Sequence, residues 1–210
     1  MKTNKHSEKS GNSENEDRRV RKTKRVLKNA LTELILEKGY EEVSVQEVID
    51  RADVGRTSFY SHFRSKEDLL RQNLDDLEKM FEAPEKENSE DISDQDFTLM
   101  MFRHLKENWR LAKVLLGNKK IPFVRNYVQN ILLKYYRKQY RQKWKNRSDF
   151  EIEGAAVFTS GALLSLTLWW LSMSRPESPE RMHEVFMSRM QDGADTAAQR
   201  LPEADFYGKL

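Results

Sequence analysis

Cysteine is absent from the 210-residue chain, which excludes disulfides and thiolate metal sites and fits a reducing compartment. Glycine is scarce, with 8 residues in all. No two of them stand at the spacing of a phosphate-cradling loop, so nucleotide binding by that route is excluded. The histidines His6, His62, His104 and His183 lie far apart and lack a metal-ligand pattern. His62 beside Ser61 lacks the third partner and the pocket that a nucleophile system needs. No apolar run follows Met1, so no secretory signal is expected. The carboxylates between Glu82 and Asp96 are strung along a polar stretch and are not held as an acid–base pair. These absences leave no enzyme, no cofactor and no metal centre to expect, and the cytoplasm is the expected location.

Neither sign of charge dominates, since 37 Lys and Arg face 34 Asp and Glu. Hydrophobic residues make up 38% and aromatics 10%, enough for a packed core rather than wholesale disorder. The order along the chain is more informative. Residues 1–17 are polar without hydrophobic periodicity and read as a disordered tail. A basic run follows, Arg18, Arg19, Arg21, Lys22, Lys24, Arg25 and Lys28, with no acid inside it. It leads into an amphipathic helix carrying Leu27, Ala30, Leu31, Leu34 and Ile35, stopped at Gly39.

Ser44-Val-Gln-Glu47 is a capping-box pattern, and the helix it opens buries Val45, Val48 and Ile49 and ends near Ala52. After a turn of four residues, Ala52 to Gly55, a second short helix is predicted from Arg56 to Phe63. Ser65 and Asp68 repeat the capping pattern ahead of a longer helix through Leu69, Leu70, Leu74, Leu77 and Phe81. The acidic stretch from Asp75 to Asp96, with Ala83-Pro84, reads as a linker. Further helices are predicted over 95–108, 109–117, 122–146, 149–174 and 179–201. The fold class is all-α. The organisation is a tail at 1–17, a helix-turn-helix domain at 18–80, a linker at 81–95, and a helical domain at 96–210.

Two short helices joined by a tight turn describe either a helix-turn-helix or part of an ordinary bundle. In the first case the N-terminal residues of the second helix reach base edges. Arg56 can then donate two hydrogen bonds to a guanine, Thr57 can touch a thymine methyl, and Ser58 lies beside them. Phosphate contacts are expected from Tyr60 and His62, from Ser44 and Lys66 at helix starts, and from Thr23, and the basic run before Leu27 is placed for a backbone contact or a minor-groove arm.

The stretch from Val45 to Leu70, ending Phe-Tyr-Ser-His-Phe-Arg-Ser-Lys-Glu-Asp-Leu-Leu, resembles the DNA-binding signature of TetR/AcrR-type repressors. The likeness covers about residues 20–75. It implies base reading by Arg56, Thr57 and Ser58, and phosphate clamping by Tyr60, His62, Lys66, Ser44 and Thr23. One departure is Gly55, where the family carries a Ser or Thr cap.

In the second half, His104-Leu-Lys-Glu-Asn-Trp-Arg-Leu-Ala-Lys-Val-Leu-Leu-Gly117 resembles a C-terminal domain found in dihydroxyacetone-kinase regulators of low-GC Gram-positive bacteria. The resemblance implies a homodimer that binds a palindromic operator of double-stranded DNA and is released by a small-molecule effector or other signal. A dimeric regulator working through protein partners without an inducer is the alternative. The expected dimer surface is Ala155, Phe158, Ala162, Leu166, Met182, Val185, Phe186, Met190, Gly193 and Ala197. Phe97, Met101, Leu105, Trp109, Phe123, Tyr127, Ile131, Phe158 and Trp169 are candidates to line a ligand pocket, though the same spacing suits a packed core.

The uncharged run between Glu153 and Arg175 is long enough to span a membrane. Its Thr159, Ser160, Ser165, Thr167, Ser172 and Gly161 favour a buried helix, and no membrane partner is expected. A second basic run, Lys134 to Arg147, reads as the solvated side of a long helix rather than an anion-binding surface.

Overall fold

The computed structural model describes residues 7–82, 94–117 and 121–200, with side-chain surroundings defined over 17–75, 97–117 and 121–190. The chain divides into two compact units, Met1–Glu85 and Lys86–Leu210, and among the described residues every regular element is helical.

The first unit holds α1 (Ser7–Lys38), α2 (Val45–Ala52), α3 (Arg56–Tyr60) and α4 (Lys66–Glu82). Residues 7–17, expected as a tail, form the first turns of α1. Core packing on α1 begins at Leu27 and continues through Leu31, Leu34 and Ile35, all buried. Gly39 ends the helix at φ 84°, donating its amide to the Ile35 carbonyl. That left-handed conformation carries a steric cost for any residue with a Cβ.

The Ser44 hydroxyl accepts the Glu47 amide while the Glu47 carboxylate takes the Ser44 amide at 2.9 Å, closing the capping box. Asp53 ends α2 at φ 50°, a conformation tolerated by Asp, whose short polar side chain bonds locally. Arg51 clamps α2 onto α1 through two bonds to Glu37 of 2.7 and 2.8 Å. The α3 helix stops at Tyr60, short of the expected Phe63. The Ser61 hydroxyl there donates to the Ser58 carbonyl, and the His62 and Phe63 amides both converge on the Phe59 carbonyl. At α4 the Ser65 hydroxyl accepts the Asp68 amide, and Asp68 accepts the Arg64 amide.

The second unit holds α5 (Asp94–Glu107), α6 (Trp109–Gly117), α7 (Pro122–Lys143), α8 (Asp149–Ser172) and α9 (Pro179–Arg200). The expected linker at 81–95 lies mostly outside the described residues. Within this unit α7 runs along α8, α5 packs on α9, and α6 lies against α8. A Ser148/Glu151 capping box opens α8, and α7 ends at Lys143 rather than at 146. Trp170 sits at the centre, edge-on to Phe102 and Trp109, with its indole N–H donating to the Glu177 carbonyl. Buried or half-buried polar contacts tie α7 to α8, among them Tyr140 with Thr159 at 2.7 Å, Gln129 with Ser160 at 2.9 Å and Arg137 with Glu153 at 2.7 Å. Thr98 meets His183 at 2.7 Å between α5 and α9.

Among the described residues α8 alone is long and apolar enough to cross a bilayer. One stripe of it, from Ile152 through Ala156, Leu163 and Trp170, is nevertheless a protein core face.

Candidate nucleic-acid interface

The α2–turn–α3 pair is held by packing on one side only. Phe59 is 0% exposed and packs against Phe63, their rings tilted at 46° with centroids 5.8 Å apart, anchoring α3 to its supports. On the opposite side Arg56 and Thr57 are exposed and Ser58 is half-exposed. The Arg56 guanidinium lies 5.8 Å over the Tyr60 ring, and Tyr60 itself is 49% exposed. A cation stacked on an adjacent aromatic is held ready without a competing carboxylate. The three expected base-reading side chains therefore share an accessible end of a short helix, beside a half-exposed tyrosine.

Gly55 precedes α3 with extended backbone and no side-chain cap. Ser44, at the start of α2, is exposed, but its hydroxyl already donates to Glu47 at 2.8 Å. His62 is half-buried; burial and then the nearby Lys24 charge push its imidazole below the ordinary value, favouring a neutral ring near pH 7. Thr23 is half-exposed on α1.

Lys66, expected at a helix start, has its side chain engaged within the first unit. Its ammonium donates to the carbonyls of Tyr40, Glu41 and Val43 at 3.0, 3.0 and 2.7 Å. It also lies 4.6 Å over the Tyr40 ring. All three of its protons have protein acceptors, so its side chain holds the loop before α2 together. What Lys66 retains for an anion is its backbone amide in the first turn of α4.

Residues 28–72 match the family model described as "Bacterial regulatory proteins, tetR family", and residues 93–192 match a "Transcriptional regulator C-terminal region".

The chain belongs to the TetR family.

It is a DNA-binding transcriptional regulator by that membership, and not an enzyme. A relative is the HTH-type dhaKLM operon transcriptional activator DhaS of Lactococcus lactis, 24% identical over 168 residues, 79% of this chain and 87% of the relative. A TetR-family regulator from Syntrophomonas wolfei superposes with a TM-score of 0.66 at 20% identity, covering 88% of this chain and 99% of its own. NalD of Pseudomonas aeruginosa, described as the secondary repressor of the MexAB-OprM multidrug efflux pump, gives a TM-score of 0.64 at 20% identity, over 83% and 96%. At these identities the structural likenesses establish the fold alone.

The other expected site residues of this TetR-family chain sort differently. Phe97 and Met101 are buried, and Leu105, Trp109, Phe123, Tyr127 and Ile131 are half-buried. Phe158 and Trp169, expected beside them, are 69% and 56% exposed on the outer stripe of α8. The structure does not bring those two to the interior group. Met182 and Phe186, expected on the dimer surface, are buried within the protomer, because that stripe of α9 faces α5. Arg103 on α5 pairs with Glu180 at 3.0 Å alongside the Thr98–His183 contact, fixing that orientation. Ala155, Ala162, Leu166, Val185 and Met190 are half-exposed. Gly193 and Ala197 lie beyond the residues whose side-chain surroundings are described.

Sequence reasoning placed Lys24 in the basic run but not its seat against Phe63, where its ammonium lies 6.0 Å over the ring, three residues past the end of α3. It also missed the Arg51 clamp, although Glu33 and Glu37, four residues apart on α1, form a readable acidic pair for it.

Proposed function

We propose that the chain is a cytoplasmic repressor that binds a palindromic operator as a two-fold dimer and leaves it when a small molecule binds the second unit. The observation that carries this reading is the two-sidedness of α3: Arg56 and Thr57 are exposed while Phe59 is sealed in the core. A helix held this way can enter the major groove without unpacking. In the proposal Arg56, Thr57 and Ser58 read base edges. Tyr60, His62, Thr23 and the amides at the starts of α2 and α4 hold phosphates, the Lys66 side chain excepted.

Pairing is supported by α8, which is apolar on both faces while one protomer covers only one of them. Its outer stripe carries Val157, Phe158 and Trp169. A helix apolar all round belongs in an interior, and a second copy supplies one. Phe97, Met101, Leu105, Trp109, Phe123, Tyr127 and Ile131 remain the proposed effector-lining set.

The test is a gel shift on duplexes selected from a random pool by the protein itself. Arg56→Ala is expected to lose about 1–3 kcal/mol per base contact, tenfold or more in affinity, with helix content unchanged. Normal affinity would end the recognition-helix assignment. The relatives carry opposite printed roles, activator and repressor, so a reporter behind the selected site sets the sign. Rising output on deletion of the regulator supports repression, and falling output overturns it.

A further inference from the structure

Two basic runs occur in the chain, and the structure treats them oppositely. On α7 and the turn after it, Arg137 pairs with Glu153, Arg141 with Asp149, and Arg147 with Glu151. The three arginines of that run are matched by acids of their own unit. On α1, Arg18, Arg21, Lys22 and Arg25 recur at i, i+3, i+4 and i+7, so they share one helix face, and all four are exposed. Among the described residues no ion-pair partner meets any of them. They occupy about 10 Å of helix, ahead of Leu27, where core packing begins. Such density without counter-charge favours a polyanion.

The position narrows the partner. Lys24, on the flank of the same turns, lies 6.0 Å over the Phe63 ring and its charge acts on His62. The turns of α1 that carry the stripe therefore pass beside the segment that follows α3. No apolar side chain is interleaved on that face, so it has nothing to insert into a bilayer. Three of its four cations are arginines, whose planar forks match phosphate oxygens in pairs.

We propose that Arg18, Arg21, Lys22 and Arg25 form an arm that grips the phosphate backbone of duplex DNA flanking the bases read by α3. The inference rests on the operator reading above and extends its contact surface by about two helical turns of protein. The arm reads no sequence. It adds affinity that depends steeply on salt and on the length of duplex beyond the operator.

The experiment uses the full chain, its selected operator, and two duplexes: one trimmed to the operator and one extended by about one turn of DNA on each side, about 10 base pairs. The triple variant Arg18→Ala, Arg21→Ala, Lys22→Ala keeps good helix formers on an exposed face, and circular dichroism checks that helix content is retained. On the extended duplex the slope of log affinity against log salt is expected to become shallower by up to about 5 for a dimer losing six phosphate contacts. Wild type gains affinity from the extension, and the triple variant does not. An unchanged slope, or equal gains from extension, overturns the arm. If Arg56→Ala still abolishes operator selectivity in that case, the operator reading stands without it. Retained selectivity in Arg56→Ala removes both.

Discussion

The Lys66 ammonium lies 2.7 Å from the Val43 carbonyl oxygen, joining the first turn of α4 to the loop that leads into α2. With Tyr40 and Glu41 completing its acceptors, a lysine at a helix start acts as a loop cap. The two roles for this residue make separable predictions. Lys66→Met should lower stability by about 2 kcal/mol, the range for hydrogen bonds from a charged donor, read as a urea midpoint. Its operator affinity, measured where the protein is fully folded, should fall little because the first-turn amide of α4 remains. Lys66→Arg should not restore stability, since a planar fork cannot meet three converging carbonyls. A stable Lys66→Met with lost DNA affinity would return the side chain to phosphate.

Gly55 yields a prediction of opposite sign. Its backbone is extended at φ −65° and ψ 146°, as an N-cap requires, and a Cβ added there meets nothing within 4 Å. Gly55→Ser should therefore stabilise the first unit by a few tenths of a kcal/mol, about 0.3. Thermal unfolding at fixed pH measures it. A lower midpoint would mean that the glycine is required by something outside the protomer.

The features legible from sequence have causes within a few residues. Ser44 with Glu47, Gly39, and the Phe59/Phe63 spacing each carry their partner or their strain locally, so the helix-turn-helix could be read almost whole. Lateral choices were not legible. On α8 both faces are apolar, so periodicity could not say that Ala156 and Trp170 point inward while Phe158 and Trp169 point out. On α9 the stripe of Met182 and Phe186 was visible, but its partner was decided by Thr98 and Arg103, some eighty residues earlier in the chain. Lys66 likewise reaches back to a loop 23 to 26 residues earlier.

The pH dependence of stability follows from carboxylates held below their ordinary range. Hydrogen bonding from Lys38, and then from the Ser44 amide, holds Glu47 at about 2 against an ordinary value of 4.5. Glu37 is lowered through Arg51 and Glu153 through Arg137, and Glu151 is lowered first by the Ser148 amide. A native state with lowered values binds protons less readily than the unfolded chain. The stabilisation is thus present above about pH 4.5 and lost as pH falls through the folded values. Urea midpoints at pH 7, 4 and 3 should decline, and Glu47→Gln should flatten the decline while keeping a capping side chain. Parallel pH profiles for the two proteins would remove Glu47 from the account.

Phe158 and Trp169 stand eleven residues apart on α8, three helical turns, and both face away from the protomer's own core. Leaving two large aromatics in water beside Val157 is costly only if nothing covers them, and each buries up to about 150–250 Å² when covered. If a second copy does so, Phe158→Glu places a charge in a desolvated interface and should shift the protein from dimer to monomer in sedimentation at micromolar concentration. The protomer should keep its helix content, because the replaced side chain makes little of the core. The double variant with Trp169→Ser should be monomeric at any concentration accessible to the measurement. Operator affinity should then fall in parallel, since one reading helix reaches only one half-site. Dimers that persist in the double variant would assign pairing to another face.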